Sequence, residues 1–127
     1  MAKVYVVQDT KTVNRHTGKL ESKFDFRPAE EFGEIEYLLD SAASPFNLDS
    51  AVAQLKAKLS SFGPEDSLLL VGSPVLIGVA VAIAADINGG DVKMLQWSGT
   101  KRAYIQVSGT NVFCDCDHPA VAGQPYP

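Results

Sequence analysis

The chain reads as an α/β domain, a small Rossmann-like arrangement with a mostly parallel sheet of about five strands, two main helices and a C-terminal β-hairpin. Three observations lead there. Strand-like and helix-like segments alternate along most of the chain, which is the pattern of right-handed crossovers onto a parallel sheet. The uncharged run Leu68 to Ala85, LLLVGSPVLIGVAVAIAA, is interrupted by Gly72-Ser73-Pro74. Two alternating segments flank the turn Ser98-Gly99-Thr100-Lys101. The interruption matters most. Unbroken, roughly 18 apolar residues match the hydrocarbon thickness of a bilayer. Broken, they become a buried strand and a separate helix, with Ser73 as N-cap and Pro74 as N1, where a missing N–H costs nothing. The acidic flanks Glu65, Asp66 and Asp86 lack the basic residues and aromatic belt of a span, so no membrane partner is expected.

Lys3 to Gln8 (KVYVVQ) is apolar on both faces and reads as a central strand. Residues 9–23 lose all periodicity and read as an exposed loop or arm turning at Thr17-Gly18. Phe24-Asp25-Phe26 alternates, Arg27-Pro28 breaks, and Glu34 to Leu39 (EIEYLL) forms a second strand with Ile35 and Tyr37 on one face. Leu48, Val52, Leu55, Leu59 and Phe62 then fall at helical spacing, between a start at Asn47 or Asp49 and a stop at Gly63-Pro64. Ser67 to Val71 is the third strand. The helix from Pro74 to about Asn88 closes at Gly89-Gly90, where glycine takes the left-handed conformation of a helix stop. Asp91 to Trp97 and Arg102 to Val107 complete the hairpin. One domain over residues 1–109 is therefore expected, followed by an extended, poorly ordered tail over 110–127.

Length and composition agree with one globular domain: 127 residues, 46% apolar and 20% charged. A net charge of -4 argues against wrapping nucleic acid, which needs clustered Lys and Arg. Charge is uneven, with six basic and three acidic groups in residues 1–27 but two basic and eight acidic in residues 28–66. The opening MAKVYVVQD enters a strand at once, so no secretory signal and a cytoplasmic setting are expected. Cys114 and Cys116 are too close for a disulfide framework, which fits a reducing compartment.

No complete catalytic signature is present. The turn at Gly72-Ser73 joins a strand's carboxyl end to a helix N-terminus, a place that favours anions, with Asp9 past the first strand as its natural polar partner. These three are the candidate ligand residues. The turn nonetheless lacks the spaced glycines of a dinucleotide fingerprint and the Lys of a P-loop, and Ser73 lacks the surround of a nucleophile elbow. In the arm, Lys11, Arg15, His16, Lys19 and Lys23 form a candidate contact surface for an acidic protein or nucleic acid, without the aromatic interleaving that single strands require. Gly78 and Ala82, four apart on a helix apolar all round, mark a candidate oligomer interface. Cys114, Asp115, Cys116, Asp117 and His118 crowd metal-ligating types together, but a second ligand pair is missing unless His16 supplies part of it. No metal and no cofactor are expected. Glu30, Glu31, Glu34 and Glu36 read as a solvated acidic edge.

The opening VYVVQ, the stretch LLLVGSPVLIGVAVAIAADIN, and the later MLQW and YIQV resemble a group of short uncharacterised proteins encoded by tailed bacteriophages. The likeness covers about two-thirds of the chain and excludes the tail. It implies a shared Rossmann-like α/β core and a viral origin, and no activity. Two departures bear on function: those proteins tend to carry an acidic residue where Ser73 stands and another after the Trp, where Ser98 stands. The expected function is non-catalytic binding of a host or viral macromolecule, as a homo-oligomer, in the host cytoplasm. Two alternatives stand beside it. One is a nucleotide or small-molecule-binding domain, conceivably enzymatic, using the Gly72-Ser73-Pro74 turn; the other is a virion structural or decoration protein.

Overall fold

The computed structural model describes residues 2–22 and 24–113. In chain order the elements are β1 (Lys3–Gln8), β2 (Lys11–Val13), β3 (Leu20–Ser22), a 3-10 helix (Arg27–Phe32), β4 (Glu34–Leu39), α1 (Leu48–Leu59), β5 (Ser67–Leu69), α2 (Pro74–Ile87), β6 (Val92–Ser98) and β7 (Ala103–Gly109). Five of the strands form one sheet in the order β4-β1-β5-β6-β7, parallel except for the last pair. The α/β class, the five-stranded, mostly parallel sheet and the C-terminal antiparallel pair are thus as expected.

The order has a consequence for the layers. From β1 the chain steps to β4 on one side, then returns across β1 to β5 and continues outward to β6. Right-handed crossovers put connections that run in the same direction on the same face. Accordingly α1 and α2 share one face, where Leu55, Leu59, Leu76, Ala80 and Ala84 pack against Tyr5, Val7 and Leu68. The β1-to-β4 connection runs the other way. Its 3-10 helix therefore covers the opposite face, where Phe26 and Ala29 meet Val4, Val6, Leu69 and Leu95. Alternation along β1 serves both cores, which explains why this strand is apolar throughout.

The break at Gly72-Ser73-Pro74 is present: β5 ends at Leu69, α2 begins at Pro74, and Ser73 is the N-cap. No helix among the described residues is long and apolar enough to cross a membrane. The cap works differently from the expectation, because the Ser73 side chain makes no capping hydrogen bond. Several boundaries also moved. The arm is a ladder of β2 on β3, closed where Asn14 Oδ1 accepts from His16 N at 2.8 Å and Gly18 takes φ of 71°. Strands of three residues are too short to show a period, so the sequence read as loop. Residues around Pro28 continue as a 3-10 helix where only a break was expected, since proline suits a first helical turn. Leu48 is exposed, and Ala51 takes the inward position instead.

Tyr5 and Tyr104 link this packing to pH. Burial raises the pKa of each hydroxyl above the ordinary 10.0, and the charges of Asp66 and Glu36 add to the effect at Tyr5, as Asp25 does at Tyr104. The unfolded chain loses these protons first, so the stabilisation is complete below about pH 10 and is lost as pH rises through the folded values. Urea midpoints are therefore expected to fall as the pH rises above about 10. Tyr5→Phe should shrink that fall, and an equal fall in both proteins would contradict the assignment.

Candidate functional site

Reversal of winding at β1 leaves a crevice beyond the carboxyl ends of β1 and β5, the position where open α/β sheets hold ligands. Here a side chain from the sheet occupies it. Gln8, the last residue of β1, is 6% exposed. Its Oε1 accepts from Ser73 N at 3.0 Å, and its Nε2 donates to the carbonyls of Ala43 at 2.8 Å and Asp40 at 3.3 Å. One amide thus ties β1 to the start of α2 and to the loop after β4. Gly72 makes this possible: its φ is 124°, and a Cβ there would lie 2.6 Å from Gln8 Cβ.

Of the candidate ligand residues, Gly72 and Ser73 therefore meet at Gln8, and the Ser73 N–H that would greet an anion is already bonded. Asp9 stands beside them. Its N–H donates to the Leu39 carbonyl at 3.2 Å, and its carboxylate lies 3.9 Å from Lys11 Nζ. Sequence reasoning passed over Gln8. The signal was a glutamine ending an otherwise apolar central strand.

A cleft of about 360 Å³ opens beside Gly72, past the end of β5 and alongside the last residues of β6, with Thr10, Phe24, Gln96, Trp97 and Tyr104 also in its lining. Trp97 and Tyr104 face each other across the β6–β7 ladder with ring centroids 5.1 Å apart, edge to face. Tyr104 is held by its hydroxyl, which donates to the Asp25 carbonyl at 3.0 Å. Asp25 is itself fixed by the Arg27 guanidinium, through Nε at 3.0 Å and Nη2 at 2.9 Å, and those bonds hold its carboxyl below the usual range. Trp97 remains 48% exposed and Phe24 44%. Among the described residues the buried Thr10 Oγ1 has no hydrogen-bond partner.

Thr10 and Phe24 also flank the β2–β3 hairpin, so the arm rises from the edge of this cleft. Lys11, Arg15, His16 and Lys19 are all exposed on it; Lys23 lies outside the described residues. Val13 pairs with Leu20 across the ladder, and they are 56% and 66% exposed. Gly78 and Ala82 stand on the outward side of α2 near exposed Val75, and a Cβ at Gly78 would meet nothing within 4 Å. Glu30, Glu31 and Glu34 line a separate open concavity of about 530 Å³ at the amino ends of β1 and β4, while Glu36 pairs with Lys3 at 3.0 Å. The segment Cys114 to His118 and the expected tail from 114 onward lie outside the described residues.

The model of a family described as "Phage Pam3 gp32-like protein" matches residues 2–111. The chain belongs to that family. No curated protein and no solved structure matches it. Membership makes this a phage protein and spans every element of the sheet, the Gln8 tie and the cleft. The family's description names no activity.

Proposed function

We propose that this member of the phage family acts without catalysis, by binding a host or viral protein through the β2–β3 hairpin, as a homo-oligomer in the host cytoplasm. The observation that carries the reading is the hairpin itself. Two three-residue strands have little stability alone in water. This pair nevertheless holds Val13 and Leu20 in solvent among Lys11, Arg15 and Lys19. An apolar spot ringed by cations suits an acidic protein surface with an apolar centre, where the charges steer the encounter and the apolar pair is covered on docking. The uncovered side of α2 at Val75, Gly78 and Ala82 supports a second copy, since apolar helix faces are stable when covered.

Affinity capture from infected cells tests this, using wild-type protein beside a Val13→Ser/Arg15→Glu/Leu20→Ser variant, with sedimentation of both. The wild type should retain a partner in stoichiometric amount and sediment above the 13.6 kDa monomer. The variant should lose the partner while keeping the oligomer. Retention of the same partner by the variant, or a wild type that captures none and sediments as a monomer, would overturn the proposal.

A further inference from the structure

We infer that the outer edge of β7 pairs with the same edge of a second copy of this chain, antiparallel about a two-fold axis at Gln106. The inference rests on the homo-oligomer reading above and gives that oligomer an interface at the sheet edge. The sheet has two outer strands, β4 and β7, and they meet solvent differently. An unpaired edge presents backbone donors and acceptors to any other chain, and proteins blunt such edges with charge, proline or cover. β4 is blunted: Glu34 and Glu36 lie along it, Lys3 binds Glu36 at 3.0 Å, and Lys58 Nζ donates to the Tyr37 carbonyl at 3.1 Å. β7 is not. Its seven residues, AYIQVSG, hold neither charge nor proline, and they pair with β6 along their whole length. Among the described residues, the chain after β7 continues beside Gly90 and Asp91, with Val112 N donating to the Gly90 carbonyl at 2.8 Å, and adds no strand to the outer edge.

A second copy is the occupant because β7 is complementary to itself. With Gln106 opposite Gln106, every residue of the strand is paired: Ile105 faces Val107, Tyr104 faces Ser108, and Ala103 faces Gly109 of the other copy. Ile105 and Val107 share the face that carries α1 and α2, since Val107 pairs with Met94, which packs on that core. Val107 is 48% exposed, and cross-strand pairs of β-branched residues stabilise a sheet. The same register sets Lys101 opposite Asn111 of the second copy, whose N–H is held by the Asp91 carboxylate at 2.9 Å. Each end of the pairing thus brings a cation towards an anion. A contact that uses the same patch on both copies closes as a dimer.

Sedimentation of the intact protein over a range of concentrations, with amide hydrogen exchange read by NMR, tests the inference. The wild type should dimerise, and the alternate β7 amides that point away from β6 should exchange slowly in the dimer. Val107→Lys, a change at an exposed position, should raise the dissociation constant about tenfold while circular dichroism stays native. Gln106→Glu and Gln106→Lys each set like charges together at the axis; mixed, the two should associate at least about fivefold more tightly than either alone. That gain reads the register, and a loss of folding cannot imitate it. A Val107→Lys variant that stays folded and dimerises as the wild type does, or a mixture no tighter than its components, overturns this inference alone and leaves the α2 face as the oligomer contact. A wild type that is monomeric throughout overturns the oligomer as well. Slow β7 amides in such a monomer would assign the edge to the chain's own C-terminal segment, which equally excludes the pairing.

Discussion

Gly72→Ala is expected to destabilise the protein by about 3 kcal/mol, lowering the melting temperature by roughly 10 °C. Two effects combine. At φ of 124° an L residue is strained whatever space surrounds it. In addition the new methyl would sit 2.6 Å from Gln8 Cβ and 2.8 Å from Gln8 Oε1, closer than carbon and oxygen tolerate. Relief would require β1 and the start of α2 to separate, which breaks the bond between Gln8 and Ser73. Gln8→Ala cannot rescue the variant, because the nearest clash is with a Cβ that alanine keeps. Urea unfolding followed by circular dichroism measures the loss, and a change below about 1 kcal/mol would show that the close approach is not what the packing requires.

Gln8→Leu is expected to cost about 2–4 kcal/mol even though leucine fills a similar volume. The substitution leaves the Ser73 N–H and the carbonyls of Asp40 and Ala43 without the amide that joins them. Each unsatisfied buried group costs about 1–3 kcal/mol, less where water reaches it, and the loop carbonyls are the more accessible. Gln8→Glu should be intermediate, because its carboxylate still accepts from Ser73 but donates nothing to the two carbonyls. Equilibrium unfolding of the three proteins separates these cases. A Leu variant as stable as wild type would mean that water replaces the amide without cost.

Both expectations concern a position that is partly legible in the sequence. The Gly-Ser-Pro break follows from local chemistry, since Pro74 can begin a helix and Gly72 can take a conformation closed to other residues. The run Val4 to Val7 likewise shows its central place, because a strand with apolar residues on both faces needs cover on both. What was missed depends on assembly. The two strands of the arm carry three residues each, below the length at which alternation becomes visible. Arg27-Pro28 marks a break equally well for a loop or for a short helix.

The cleft was invisible for a different reason. Thr10, Phe24 and Trp97 come from distant parts of the chain, and only the sheet order brings them to one rim. Gln8 was legible as an anomaly, a polar residue closing an apolar strand, yet its partners Ala43 and Ser73 are 35 and 65 positions away. Sequence patterns describe faces; contacts across a crevice require the crossover to be drawn. For the same reason the hydrogen bond that Gln8 makes to Ser73 is not readable from the turn's own residues.

Amide hydrogen exchange at Ser73, read by NMR in the wild type and in Gln8→Leu, tests most directly whether the crevice at the strand ends is sealed from within. Ser73 should exchange slowly in the wild type, stay unchanged when inorganic phosphate is added, and exchange at least about tenfold faster in the variant. Equal rates in the two proteins, or a Ser73 amide that exchanges freely in the wild type and becomes protected by phosphate, would contradict it.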